Sequence, residues 1–150
     1  MSVEKIDRII DKYSDQKGIL IQLLLDIQKE FNWIPKEAVI RINQRLNIPA
    51  SEIYRVASFY TSLSLKPRGR HIIRICLGTA CYVRGGPRIL DSVERCLCVK
   101  PGETTADGRF SLETVSCLGA CDLGPVIELD GKYHGRLTLT NLGELLSKYK

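Results

Sequence analysis

At 150 residues the chain is long enough for one ordinary domain or two small ones. With 44% apolar and 26% charged residues and no low-complexity tract, wholesale disorder is excluded. No apolar run reaches the roughly 18 residues of a membrane span, and the longest, Ile19 to Leu25, is interrupted by Gln22. The net charge of +5 is spread over both halves, and no aromatic residues interleave with the arginines, which argues against nucleic acid as a partner.

The opening MSVEKIDRII has no apolar signal core and carries acidic residues early. The expectation is a cytoplasmic protein, or one docked on the cytoplasmic side of a membrane-associated complex, with no insertion of its own. Val3, Ile6, Ile9, Ile10 and Tyr13 recur at helical spacing and predict a first helix, ended by Gly18. Leu20, Leu23, Leu24, Ile27 and Phe31 predict a second. Pro35 suits the first position of a third helix, with Ala38, Val39, Ile42 and Leu46 inward. Asn47 can stop it in a left-handed conformation, and Pro49 prevents continuation. A fourth begins near Ser51, with Ile53, Val56, Ala57 and Tyr60 on one side. Trp33 is expected in the core between the second and third helices. Four short amphipathic helices imply a small bundle, residues 1–66.

After Lys66-Pro67-Arg68-Gly69 the period changes. His71 to Cys76 predicts a strand running into a cysteine. Gly85-Gly86-Pro87 leads into a helix, Pro87 to Leu97, with Ile89, Leu90 and Val93 inward. Pro101 to Gly108 is loop. Phe110, Leu112 and Val115 alternate towards Cys117, a second strand ending near a cysteine. Val126–Leu129 and Lys132–Leu137 predict a hairpin turning at Asp130-Gly131. Asn141 is expected to cap a last helix through Leu142, Leu145 and Leu146. Residues 67–150 thus read as a mixed α/β domain resembling thioredoxin, and the whole chain as α+β.

All six cysteines follow residue 75. In a reducing compartment, clustered cysteines are more often metal ligands or redox groups than disulfides. Cys76 and Cys81 form C-x4-C, Cys117 and Cys121 form C-x3-C, and 35 residues separate the pairs. Each pair sits where a strand gives way to a loop, so strand ends on one sheet edge can bring four thiolates together. Four thiolates suit a 2Fe–2S cluster, two per iron. Glycine and alanine between the cysteines let backbone N–H groups point at cluster sulfur. Gly85-Gly86-Pro87 places a helix N-terminus nearby, favouring an anionic group. A structural zinc also takes four cysteines, so a zinc-stabilised interaction module stands as the alternative. No C-x-x-C occurs, which argues against a catalytic dithiol. Cys96 and Cys98, at the end of an amphipathic helix, are expected to be buried small hydrophobes. His71 and His134 have no cysteine at useful spacing and are expected to be structural or exposed. Arg68, Arg70, Arg74, Arg84 and Arg88 bunch around the first pair, either as a solvated face or as a docking patch or counter-charge. There is no P-loop and no G-x-G-x-x-G, and no catalytic site is expected on this chain.

The cysteine spacing, with CLGTACYVRG, PGETTADGRF, SCLGACDLGP and the closing GRLT, resembles the thioredoxin-like 2Fe–2S ferredoxin family. The segment LIQLLLDIQKEFNWIPKEAVIRINQRLNIPASEIYRVASFYTSL is similar to the helical domain that precedes the ferredoxin domain in the complex I peripheral-subunit type. The resemblance runs from about Gly18 to Lys148. It implies a helical bundle followed by a thioredoxin-like ferredoxin domain, one 2Fe–2S cluster, and Cys76, Cys81, Cys117 and Cys121 as its ligands. It also implies electron transfer within an NAD(P)H-linked complex such as complex I, a hydrogenase, a formate dehydrogenase or an electron-bifurcating enzyme. FMN and the NAD(P)H site are then expected on a larger iron–sulfur flavoprotein partner, beside further redox subunits. The chain departs from the family pattern at Asp122-Leu123-Gly124, where a glycine and an alanine are common. A carboxylate beside a ligand is expected to lower the cluster potential unless an arginine neutralises it.

Overall fold

A computed structural model describes residues 3–14 and 16–149. The elements are α1 (Val3–Asp11), α2 (Leu20–Phe31), α3 (Lys36–Leu46), α4 (Ala50–Phe59), β1 (His71–Cys76), α5 (Thr79–Val83), α6 (Gly86–Leu97), β2 (Phe110–Val115), β3 (Ile127–Leu129), β4 (Lys132–His134) and α7 (Leu139–Ser147). A single 3-10 turn covers Cys121–Leu123. The chain divides into two compact units between Pro67 and Arg68. No helix among the described residues is long and apolar enough to cross a membrane.

The first unit is the four helices. Their apolar stripes meet in one core of Ile6, Ile10, Leu23, Leu24, Ile27, Ala38, Val39, Ile42, Ile53 and Ala57. On the outside, Arg41 bonds Asp7, and Arg45 pairs with Asp11 at 2.6 Å, tying α3 to α1. Such exposed pairs are screened by water and contribute little, so the apolar core dominates. Asn47 does end α3 with a left-handed φ of 57°. Pro35 and Pro49 stand one step outside the helices they precede, as N-caps with extended ψ. Tyr60, expected on the inner side of α4, lies past its end and is exposed. Trp33 is half-buried and outside the core. The left-handed Asn32 turns the chain out of α2 there, and the neighbouring Ile34 takes the buried position instead.

The second unit is a four-stranded sheet in the order β2-β1-β3-β4. β1 and β2 are parallel, with Cys76 opposite Val115. β1–β3 and β3–β4 are antiparallel. Alternation along the strands sends Ile73, Ile75, Phe110, Leu112, Ile127 and Leu129 to one face. There they pack with Ile89 and Val93 of α6 and Leu142 and Leu146 of α7. The register sets Arg74 opposite both Glu113 and Glu128, and its guanidinium bonds them at 3.1 and 2.7 Å. Arg68 adds a second cation on Glu113 at 2.8 Å.

Two boundaries differ from expectation. Thr138 caps α7, not Asn141; its hydroxyl accepts from the Asn141 N–H at 3.3 Å. β4 stops at His134, not Leu137, because Gly135 runs against Leu123 and Arg136 turns left-handed at φ 51°.

Candidate metal centre

The parallel pairing of β1 and β2 decides where the cysteines go. Parallel strands end on the same sheet edge, so Cys76 at the end of β1 and Cys117 just past β2 emerge side by side. Leu77 N–H donates to Val115 O at 2.9 Å, and Cys76 N–H to Val126 O at 3.2 Å, just before β3. Cys81 comes back to this edge on α5, a five-residue helix that was not expected from the sequence. Its residues Thr79, Cys81, Tyr82 and Val83 are weak helix formers, so no propensity marked it. Cys121 opens the 3-10 turn. Cys76, Cys81, Cys117 and Cys121 then line one cleft of about 360 Å3 with Gly78, Thr79, Ala80 and Ser116.

The four thiols are not equivalent. Cys76 and Cys81 are buried, 3% and 2% exposed, against Val126, Val115, Leu118 and Ala120. Cys117 and Cys121 face solvent. Burial pushes the Cys76 thiol up, but the Gly78 N–H, the Cys81 thiol and the Leu118 N–H outweigh it, and its pKa is lowered. Cys81 is raised, by burial first and then by Cys76, with the Val126 N–H opposing. Cys121 is raised chiefly by Cys117, with Cys76 and the Asp122 carboxylate adding to it. Gly119 N–H reaches Cys117 Sγ at 3.2 Å. Backbone N–H groups from both loops thus point at sulfur, which is what an electron-rich sulfur site requires.

Close backbone approach explains two of the glycines. A Cβ on Gly78 would lie 2.4 Å from Ser116 O, across the two cysteine loops. A Cβ on Gly86 would lie 2.9 Å from Cys81 O and 3.0 Å from Cys76 O. Gly86 therefore lets the start of α6 sit directly against the first cysteine loop, where its dipole favours negative charge.

Among the described residues, no three Cys, His, Asp or Glu side chains converge on a point that would hold a single ion. Two pairs of thiols around one cleft fit a two-iron cluster, with two thiolates for each iron.

The matches to known proteins agree. Residues 6–150 match the family model described as thioredoxin-like [2Fe-2S] ferredoxin. The chain belongs to the thioredoxin-like [2Fe-2S] ferredoxin family. The family's cofactor is a 2Fe–2S cluster, and electron transfer is this ferredoxin-family chain's role. It is 40% identical over 147 residues to a subunit of the NADH-quinone oxidoreductase of Escherichia coli K12, covering 98% of this chain and 89% of that protein. It is 30% identical over 145 residues to the HndA subunit of the NADP-reducing hydrogenase of Solidesulfovibrio fructosivorans, covering 97% and 85%. Its fold is similar to part of a chain in the crystal structure of air-oxidized NAD+-reducing [NiFe]-hydrogenase, with TM-score 0.72 at 22% identity. That match covers 84% of this chain but only 22% of the hydrogenase chain. Both relatives are, by name, subunits of multisubunit redox enzymes.

The remaining candidates separate. Cys96 and Cys98, expected to be buried, are both exposed. Leu97 alone of the three turns inward, and Cys98 closes α6 in a left-handed conformation at φ 54°. His71 is structural, its Nδ1 2.6 Å from Asp130 Oδ2 at the hairpin turn. His134 is half-buried, its Nε2 enclosed and, among the described residues, without a hydrogen-bond partner. Of the five bunched arginines, Arg68 and Arg74 belong to the ion network on the sheet. Arg70 and Arg88 are exposed, and Arg84 alone reaches the second cysteine loop.

Proposed function

We propose that Cys76, Cys81, Cys117 and Cys121 hold the 2Fe–2S cluster and that the chain exchanges electrons with a larger flavin-bearing subunit that carries the NAD(P)H site. The observation that carries the ligand assignment is the meeting of all four thiols around one cleft at the shared end of β1 and β2. When bound, the cluster supplies one-electron redox chemistry. The protein's part is ligation, hydrogen bonding and positioning. Gly78, Leu118 and Val126 present N–H groups to the buried sulfurs, and Gly119 presents one to Cys117. Buried Cys76 and Cys81 shield one side, while exposed Cys117 and Cys121 leave the other open for a partner to approach.

The names of the relatives support the partner reading. One is a subunit of an NADH-quinone oxidoreductase and another of an NADP-reducing hydrogenase. FMN and NAD(P)H are accordingly placed on the partner, and the cytoplasm is the proposed compartment. The test is reduction by NADH and NADPH, followed by electron paramagnetic resonance, with and without the co-purified native partners. The cluster should be reduced within the complex and stay oxidised when the chain is alone. Reduction of the isolated chain by NAD(P)H would contradict the partner reading, as would a cluster that stays oxidised in the active complex.

A further inference from the structure

Arg84 follows Cys81 by three residues and ends α5 as its C-cap. Its side chain leaves the first ligand loop and crosses to the second. Nη1 donates to Cys121 O at 2.9 Å and lies 3.4 Å from Asp122 O. A Cβ on Gly124 would meet Arg84 Cδ, Cys121 O and Cys81 Sγ, each at 3.3 Å. The Arg84 side chain, the Cys121 carbonyl and the Cys81 sulfur therefore surround a single point beside Gly124, which a Cβ would fill only if its neighbours moved by a few tenths of an ångström.

Asp122 is the residue next to Cys121, which places its carboxylate beside the second cysteine loop. Arg84 makes no ion pair with this carboxylate among the described residues; it binds the backbone carbonyls instead. The cation and the carboxylate therefore act on the same ligand without cancelling each other by contact.

We infer that Arg84 is a positioning residue for electron transfer: it braces the two ligand loops through the Cys121 carbonyl and supplies the positive charge that offsets Asp122 at the cluster. This rests on Cys81 and Cys121 being ligands. Reduction adds one negative charge to the cluster, so a fixed cation nearby favours the reduced form and a fixed carboxylate disfavours it. Withdrawal of electron density from the Cys121 carbonyl acts in the same direction as the cation. Arg84 is exposed, so part of its effect is screened by water and salt.

The test is the midpoint potential of the holoprotein for wild type, Arg84→Gln, Arg84→Lys, Asp122→Asn and the double variant Arg84→Gln/Asp122→Asn. Iron content and the visible spectrum are recorded for each. Arg84→Gln should lower the equilibrium constant for reduction about three- to tenfold, tenfold being about 59 mV for one electron. Arg84→Lys should keep most of the wild-type value, because the charge remains. Asp122→Asn should shift the potential upward, and the double variant should return towards wild type. Raised salt should shrink the Arg84→Gln shift. If Arg84→Gln loses its cluster, Arg84→Lys and Asp122→Asn carry the test, read against wild type. An unchanged potential in loaded Arg84→Gln overturns the inference, as does an unchanged potential in Asp122→Asn together with a fall in Arg84→Lys as large as loss of the charge would give. A wild-type protein without iron sinks the ligand assignment itself, a separate failure.

Discussion

At the scale of single residues, the site depends on small backbone distances. Gly78 stands where any Cβ would be 2.4 Å from a backbone carbonyl, Ser116 O, which cannot rotate away as a side chain could. Gly78→Ala should therefore separate the two ligand loops, destabilise the protein by about 1–3 kcal/mol and lower its iron content. Thermal unfolding and iron analysis check this; unchanged values would show that the loops give way without cost. Cys96 and Cys98 give the contrasting case. Both are exposed and away from the cleft, so Cys96→Ser and Cys98→Ser should change stability by no more than about 0.5 kcal/mol and leave the visible spectrum intact. The sequence reads Cys96 and Cys98 as small buried hydrophobes at a helix end. What exposes them is the direction in which that helix end points, and the left-handed turn at Cys98 has no glycine or asparagine to signal it.

At the scale of elements, the β3–β4 hairpin carries a group out of keeping with its surroundings. The Nε2 of His134 is enclosed without a partner among the described residues, and burial, then Lys132 and Lys148, lower its pKa below the ordinary 6.5. The unfolded chain therefore takes up a proton near pH 6.5 while the folded one does not. Stability should fall as the pH drops from about 6.5 towards the lowered value, and level off below it as far as this group is concerned. His134→Phe should flatten that part of a plot of unfolding temperature against pH. An equal slope in the variant would assign the acid sensitivity to other groups. Helices α1–α4, α6 and α7 and all four strands were legible in the sequence, because apolar spacing and Gly, Pro and Asn punctuation mark them. α5 was not, since its short run of Thr, Cys, Tyr and Val has no helical stripe. The caps at Pro35 and Thr138 were misplaced by one and three positions, because capping depends on side-chain hydrogen bonds and φ/ψ that spacing does not report. Of the candidate site, the sequence pointed to the four cysteines that the fold brings around one cleft, and to their glycine neighbours. The reach of Arg84 to Cys121 was not legible, since the two lie 37 positions apart and only the sheet brings them together.

At the scale of the whole molecule, the two units have separate cores. One is built from Ile6, Leu23, Ile42 and their neighbours, the other from Ile73, Phe110, Ile127 and theirs. Leu23→Ala should cost the helical unit about 2–5 kcal/mol, the usual penalty for a large cavity in a core. It should leave the iron content and spectrum of the ferredoxin unit as they are. Circular dichroism and visible absorption followed on the same melt would separate the two effects. Loss of colour in step with loss of helix would mean that the units unfold as one.

The central claim is that these four cysteines hold a two-iron cluster. The most direct measurement is iron, acid-labile sulfide and zinc per chain in anaerobically isolated protein, compared with Cys117→Ala. The protein should be reddish-brown with about two irons and two sulfides per chain, and Cys117→Ala should bleach it. A colourless protein with one zinc per chain, or a Cys117→Ala variant that keeps full colour and iron, would contradict it.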